Sequence, residues 1–159
     1  MKTHARVVVI GGGAIGVSVA FHLAKYGWQD VVLLEKHELT SGSTWMAAGN
    51  CSFFHGNYYA TQVNMKSIEI YQNLEKETGQ SVGWHTTGSI RTADNPGRME
   101  ELGYVYSMNR CLGLDVSWVT PEEMQKLHPL LNVEGLQGGL YWPDDGDVDP
   151  NGITQAMAI

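Results

Sequence analysis

The sequence predicts an α/β fold that opens on a βαβ unit, continues into part of a mixed α+β region and leaves its parallel sheet incomplete. Three observations carry this. Residues 5–10 are a short β-branched run ended by Gly11-Gly12-Gly13, and Val31-Val32-Leu33-Leu34 is a second apolar run. Between them, Ala14, Val17, Ala20, Phe21 and Ala24 recur near the helical period. Finally, two strands and one crossover do not complete a doubly wound sheet, which has about five or six strands.

The elements follow in order. The first two strands read as buried on both faces, as in parallel sheets, and a right-handed crossover makes them parallel. Residues 14–26 form the crossover helix, which Gly27 ends. Residues 40–49 turn small, polar and then apolar, which suits a loop and helix start passing close to a ligand. Residues 60–78 read as a helix with Val63, Ser67, Ile70 and Leu74 on one face and Gly79 after it. A strand is expected over 84–92, a helix over 98–112 ended by Gly113, and a short strand over 116–119. Thr120-Pro121-Glu122-Glu123 is a capping box with proline at the first helical position. Gly138 to Trp142 reads as a strand turned by Asp144-Asp145-Gly146, and Asp149-Pro150 caps a last helix over 152–159, inside which the chain stops. The expectation is an N-terminal portion of a longer protein, or one piece of a split one. Its parts would be residues 1–83, 84–145 and a return segment, 146–159.

Composition excludes several classes. The chain has 159 residues, 43% hydrophobic and 17% charged, a globular and not a disordered mix. A formal charge of −7 and ten scattered basic residues argue against a nucleic-acid partner. The apolar stretch from Val7 to Ile10 is too short for a signal core or a membrane span, so no membrane partner is expected. Cys51 and Cys111 lack a CxxC spacing and read as reduced thiols of a cytoplasmic protein. Asp144, Asp145, Asp147 and Asp149 fail the EF-hand spacing, so no metal is assigned.

Gly11-x-Gly13-x-x-Gly16 lies between the first strand and the helix, a Rossmann-like fingerprint. Gly11 makes the tight turn, Gly13 lets the backbone approach a pyrophosphate, and Gly16 brings helix close to strand. The pyrophosphate belongs at the helix N-terminus, where N–H groups and the dipole favour an anion. Glu35 ends the second strand about 20 residues on, placed to accept from ribose hydroxyls and to repel a 2′-phosphate. The fingerprint serves NAD and FAD equally.

The segment Leu39-Thr40-Ser41-Gly42-Ser43-Thr44-Trp45-Met46-Ala47-Ala48-Gly49 resembles the flavin-contacting loop of the dimethylglycine and sarcosine dehydrogenase family, within the D-amino-acid-oxidase-like flavoproteins. Glu77-Thr78-Gly79-Gln80, Gly88-Ser89-Ile90-Arg91, Pro129-Leu130-Leu131 and the run from Gly138 to Pro150 are similar to later signatures of that family, so the resemblance covers nearly the whole chain. It implies an FAD-binding domain interleaved with a substrate domain, and oxidation of a small secondary or tertiary N-methylated amine by hydride transfer to flavin. The implied cofactor-binding residues are Gly11, Gly13, Ala14, Ile15, Gly16, Glu35, Lys36, Ser43, Thr44, Trp45, Met46 and Gly49. Many members carry a histidine, covalently bonded to flavin, where Met46 stands here; a thioether is not expected to make that bond, so the FAD is expected to be non-covalent. Other partners implied are the amine substrate and the remaining part of the enzyme or a partner chain. No catalytic acid or base is assigned.

The competing readings are an NAD-binding dehydrogenase fragment and a non-catalytic nucleotide-binding module that needs a partner. His55, the ring faces of Tyr58 and Tyr59, and Arg91 are weaker candidates. For each a structural role competes: a satisfied histidine, aromatic packing and a surface ion pair.

Overall fold

A computed structural model describes residues 3–159, which fall into two compact units. One runs to Asn50 and takes up Glu69–Trp84 and Asp147–Ile159; the other comprises Cys51–Ile68 and His85–Gly146. The elements are β1 (Val7–Ile10), α1 (Ala14–Lys25), β2 (Val31–Leu34), β3 (Asn50–Cys51), α2 (Tyr58–Thr78), β4 (His85–Thr86), β5 (Ser89–Ala93), α3 (Pro96–Cys111), β6 (Ser117–Val119), α4 (Pro121–Leu127), β7 (Gly138–Trp142), β8 (Gly146–Asp147) and α5 (Pro150–Met157). Among the described residues, no helix is long and apolar enough to cross a membrane. Cys51 and Cys111 form no disulfide.

In the first unit β1 and β2 pair in parallel, with Val7 opposite Val31 and Ile10 opposite Leu34, as the βαβ reading requires. Val17 of α1 is buried, and α5 packs on the same helix through an apolar face that includes Ile153, Ala156 and Met157. The two strands are not buried on both faces as expected. Val8 is 50% exposed, Ile10 85% and Leu34 52%. Side chains alternate along a strand, and Val9 faces the glycine of α1 at Gly16. Val8 and Ile10 therefore lie on the opposite face with their register partners Val32 and Leu34. A sheet buried on both faces needs a helix on each, and here α1 covers only one. Gly27, at φ +78°, ends α1 as expected, after Tyr26 as its cap.

In the second unit β5, β7 and β6 form an antiparallel sheet in that order, with Ser89 opposite Trp142 and Val119 opposite Gly139. Leu102 and Val105 of α3, Met124 of α4, and Leu140 and Trp142 of β7 are buried. Burying an indole is favourable only if its N–H finds a partner; Trp142 Nε1 donates to Asn109 Oδ1 at 2.9 Å.

Several boundaries differ from expectation for local reasons. The strand expected over 84–92 breaks into β4 and β5. The Thr87 and Gly88 amides donate to Asp145 O at 3.1 and 2.8 Å instead of continuing a ladder, and Gly88 sits at φ +70°. The buried positions of α2 are Thr61, Ile68 and Leu74, while Val63 is 65% exposed. Thr61 tolerates burial because its hydroxyl donates to Asn57 O at 3.0 Å. Residues 39–46 form turns and residues 47–49 are irregular, with no helix start. The capping box at Thr120 is present in full: the hydroxyl accepts from Glu123 N and the Glu123 carboxylate from Thr120 N. Helix α5 begins earlier than expected, because Asp149 Oδ1 caps Asn151 N at 2.9 Å and Pro150 supplies its first turn. It also ends at Met157, before the chain does.

Candidate nucleotide-binding cleft

The β1–α1 turn depends on glycine for its backbone conformation at Gly11 and for close approach at Gly16. Gly11 takes φ +109°, which only glycine adopts freely, and its amide donates to Leu34 O at 2.8 Å. A Cβ on Gly16 would lie 1.9 Å from Gly11 O, so helix and strand touch there through bare backbone. A Cβ on Gly12 would lie 2.6 Å from Leu39 Cδ2 and 3.0 Å from Glu35 Cβ. The sequence fingerprint leaves Gly12 unassigned; the crowding there comes from the movable end of Leu39 and from Glu35, beyond the local pattern.

Gly13 is the N-cap of α1, with no side-chain capping bond and no acid in the first turn. The positive end of the helix dipole is therefore not neutralised by a carboxylate of its own. Thr44 Oγ1 accepts from Ala14 N at 2.9 Å, and Thr40 N donates to Gly12 O at 2.9 Å, tying residues 40–44 across the turn. Glu35 Oε2 accepts from Gly12 N at 2.6 Å and Oε1 from His37 N at 2.9 Å. The Gly12 amide first, and then that of His37, hold the Glu35 carboxyl below its ordinary pKa.

That shift has a signed consequence. A carboxylate whose pKa is depressed on folding adds stability that is complete above the free Glu value of about 4.3 and is lost as pH falls through the lowered folded value. The expected result is a Glu35 titration, followed by carbon NMR, with its midpoint below that of a free glutamate. In Glu35→Gln the acid-dependent loosening of the turn should vanish. A midpoint at or above the free value would contradict the two amide bonds.

Residues 9–11, 13–16, 19, 35–37 and 41–44 line one open cleft of roughly 780 Å³. Of the residues expected to hold a cofactor, it brings together Gly11, Gly13, Ala14, Ile15, Gly16, Glu35, Lys36, Ser43 and Thr44. Trp45, Met46 and Gly49 are not in its lining; Trp45 and Met46 are 59% and 66% exposed. Gly49, at φ +80°, packs against Val148, whose amide donates to Gly49 O at 3.0 Å. Sequence reasoning missed the apolar wall of Val9, Ile10 and Val19, together with His37 and Ser41. Their nearness to the named residues in the chain was the available signal.

The weaker candidates lie elsewhere. His55 Nδ1 accepts from Asn57 N at 3.1 Å in an exposed turn. Tyr58 and Tyr59 meet edge to face, 5.5 Å apart. Arg91 stacks on Phe54, its Cζ 5.0 Å from the ring centre, instead of entering a surface ion pair. Asp145, read from the sequence as a turn residue, is 1% exposed. It accepts from Ser52 Oγ at 2.6 Å, Phe53 N at 2.8 Å and Ser89 Oγ.

With this geometry in view, the comparisons with known proteins are consistent. The family model described as FAD dependent oxidoreductase matches residues 6–159. Rat mitochondrial dimethylglycine dehydrogenase is 47% identical over 157 residues, which cover 99% of this chain and 18% of that protein. The mouse mitochondrial pyruvate dehydrogenase phosphatase regulatory subunit is 39% identical over 158 residues, again 99% of this chain and 18% of that one. The chain thus spans under a fifth of the length of these relatives. Among solved structures, L-proline dehydrogenase from P. horikoshii superposes with a TM-score of 0.91 at 28% identity, covering 99% of this chain and 41% of that one. The resemblance read from residues 39–49 and the later signatures is borne out, as is the α/β fold. The chain belongs to the FAD-dependent oxidoreductase family.

Proposed function

We propose that this chain is the FAD-binding N-terminal portion of an amine oxidoreductase acting on a small N-methylated secondary or tertiary amine of the dimethylglycine or sarcosine kind. The observation that carries the proposal is the open N-terminus of α1, facing a cleft that also holds Glu35 and Thr44, in a chain of this family. The donor set fits the group: bare glycines admit a pyrophosphate, and Glu35 suits ribose hydroxyls. In this reading the first compact unit binds FAD and the second is part of the substrate domain. Bound flavin would supply the redox chemistry, taking a hydride from the carbon next to nitrogen and leaving an iminium to hydrolyse or pass on its one-carbon unit.

The chain's own residues bind and orient. Gly13 and the first turn of α1 hold the anion, Glu35 the ribose, and Lys36 and Ser43 line the same cleft. Trp45, Met46 and Gly49 are assigned to the loop that runs on toward the ring. Met46 offers a thioether, so the FAD is held without a covalent bond. The remaining part of the enzyme, on the same or a partner chain, supplies the rest of the site. The reduced thiols fit a cytoplasmic protein; the rat relative is mitochondrial, and cell fractionation decides between the two compartments.

A second reading, dinucleotide binding without amine turnover, is favoured by the likeness to a relative named as a phosphatase regulatory subunit. One experiment separates them. FAD-loaded protein, reconstituted with the remaining part of the enzyme, is mixed without oxygen with dimethylglycine or sarcosine, then precipitated with acid. Bleaching of the flavin absorption by either amine, with all flavin released to the supernatant, is the expected result. Bound flavin that neither amine bleaches would favour the second reading, and flavin retained in the pellet would overturn the non-covalent assignment.

A further inference from the structure

We propose that the second unit carries a small-molecule site of its own, a cavity between β5, β7 and the end of α4 that takes an uncharged molecule the size of a single ring, bearing a hydroxyl or an amide. None of its residues lines the nucleotide cleft, and its occupant is independent of the FAD reading.

The register of the sheet places the cavity. Side chains alternate along a strand, so Ile90 and Thr92 of β5 share a face with their partners Tyr141 and Gly139 of β7. A Cβ at Gly139 would lie 2.6 Å from Met124 Cε, so the bare glycine seats the buried Met124 and brings α4 onto β7 there. At Gly88, where φ is +70°, the Tyr141 ring occupies the space of a side chain, since a Cβ would lie 2.7 Å from Tyr141 Oη. The chain turns as it leaves α4, His128 N donating to Met124 O at 2.8 Å and Leu131 N to His128 O at 2.9 Å. That turn carries Leu127, His128 and Leu131 along one wall of a cavity of roughly 250 Å³.

Ile90, Leu127 and Leu131 give the cavity apolar walls, and Thr92, His128 and Tyr141 give it polar groups. The side chains of those three make no hydrogen bond among the described residues, and their polar atoms are accessible, unlike the buried Arg91 Nε, Asn109 Nδ2 and Asn151 Oδ1. By contrast Ser89, on the opposite face of β5, donates its hydroxyl to Asp145. Two hydroxyls and an imidazole both donate and accept, so together they suit a hydroxyl or an amide. No Lys, Arg, Asp or Glu lines the cavity, and a charge taken from water without a partner costs far more than a hydrogen bond returns. The volume lies below the about 300–1,000 Å³ of pockets that hold drug-sized molecules, which limits the occupant to about one ring. Water against the three aliphatic side chains is poorly held, and its release drives binding.

The test titrates the whole chain with phenol, and separately with benzoate and benzylamine, at about pH 8, above the ordinary range of histidine titration. Methyl NMR follows binding. Phenol should move the Ile90, Leu127 and Leu131 methyl signals saturably, and the two charged probes should bind at least about ten-fold more weakly. Tyr141→Phe and Thr92→Val keep the shape of the cavity and remove its hydroxyls. Together they should weaken phenol about ten-fold or more, the loss of two neutral hydrogen bonds. Each alone should cost at least about two-fold, and the single variants read the effect if the double one does not fold. Phenol that does not saturate, that moves methyl signals elsewhere in the chain instead, or that binds the variants within about two-fold of the original, taken as no loss of a hydrogen bond, would overturn the site. Benzoate or benzylamine binding as tightly as phenol would overturn the uncharged occupant.

Discussion

Replacing Gly16 with alanine is expected to destabilise the first unit by about 3 kcal/mol or more, at the upper end for overpacking, and to remove nucleotide binding. The added Cβ would lie 1.9 Å from Gly11 O and 3.1 Å from Gly11 C, both backbone atoms that cannot swing aside. Gly11 is itself fixed, by its φ of +109° and its bond to Leu34 O. Relief therefore requires α1 to withdraw from β1. That withdrawal moves Gly13 and Ala14 away from Thr44 and opens the cradle. At about 2–4 °C per kcal/mol for a domain of this size, thermal melting reads the change easily. Gly103→Ala is the control: it also lies within a helix, with nothing within 4 Å of its added Cβ. That substitution should be neutral or stabilising by up to about 1 kcal/mol, the difference in helix propensity. Equal losses at the two positions would mean that the Gly11–Gly16 contact is not the cause.

Asp145→Ala should cost the second unit about 3–5 kcal/mol, the range for breaking a buried polar network. A buried carboxylate persists only when its oxygens are satisfied. Here Ser52 Oγ, Phe53 N and Ser89 Oγ supply three donors. Alanine leaves the Phe53 amide and two hydroxyls in the interior without their acceptor. Asparagine, which keeps one accepting oxygen, should recover part of the loss. Urea unfolding measures all three proteins; an Asp145→Ala midpoint near the original would show that water replaces the carboxylate without penalty.

These two residues also show what the sequence discloses. Gly16 was legible because its spacing from Gly11, a preceding strand and a following helix are all local, and the required contact lies within the same turn. Asp145 was not. It stands in a run with Asp144, Asp147 and Asp149, and its partners Ser52 and Ser89 are distant in the chain. Nothing in the local pattern separates the buried aspartate from the exposed Asp144 and Asp149 or the half-buried Asp147. The capping box at Thr120 was readable to the residue for the same reason as Gly16. The buried face of α2 was misread because apolarity was counted at Val63, whereas Thr61 is buried by satisfying its own hydroxyl. The exposed Val8 and Ile10 had the residue types of a two-sided core, but their exposure depends on how many helices cover the sheet, which strand composition does not encode. For the candidate site, the glycine turn and Glu35 followed from the fingerprint. The tie from Thr44 to Ala14 required the loop to fold back across the turn.

The most direct measurement of the central claim is an equilibrium titration of the purified chain with FAD and, separately, with NAD, following flavin or nicotinamide fluorescence and thermal melting. Saturable FAD binding that raises the melting temperature, with no response to NAD, is the expected result. NAD binding in preference to FAD, or no response to either, would contradict it.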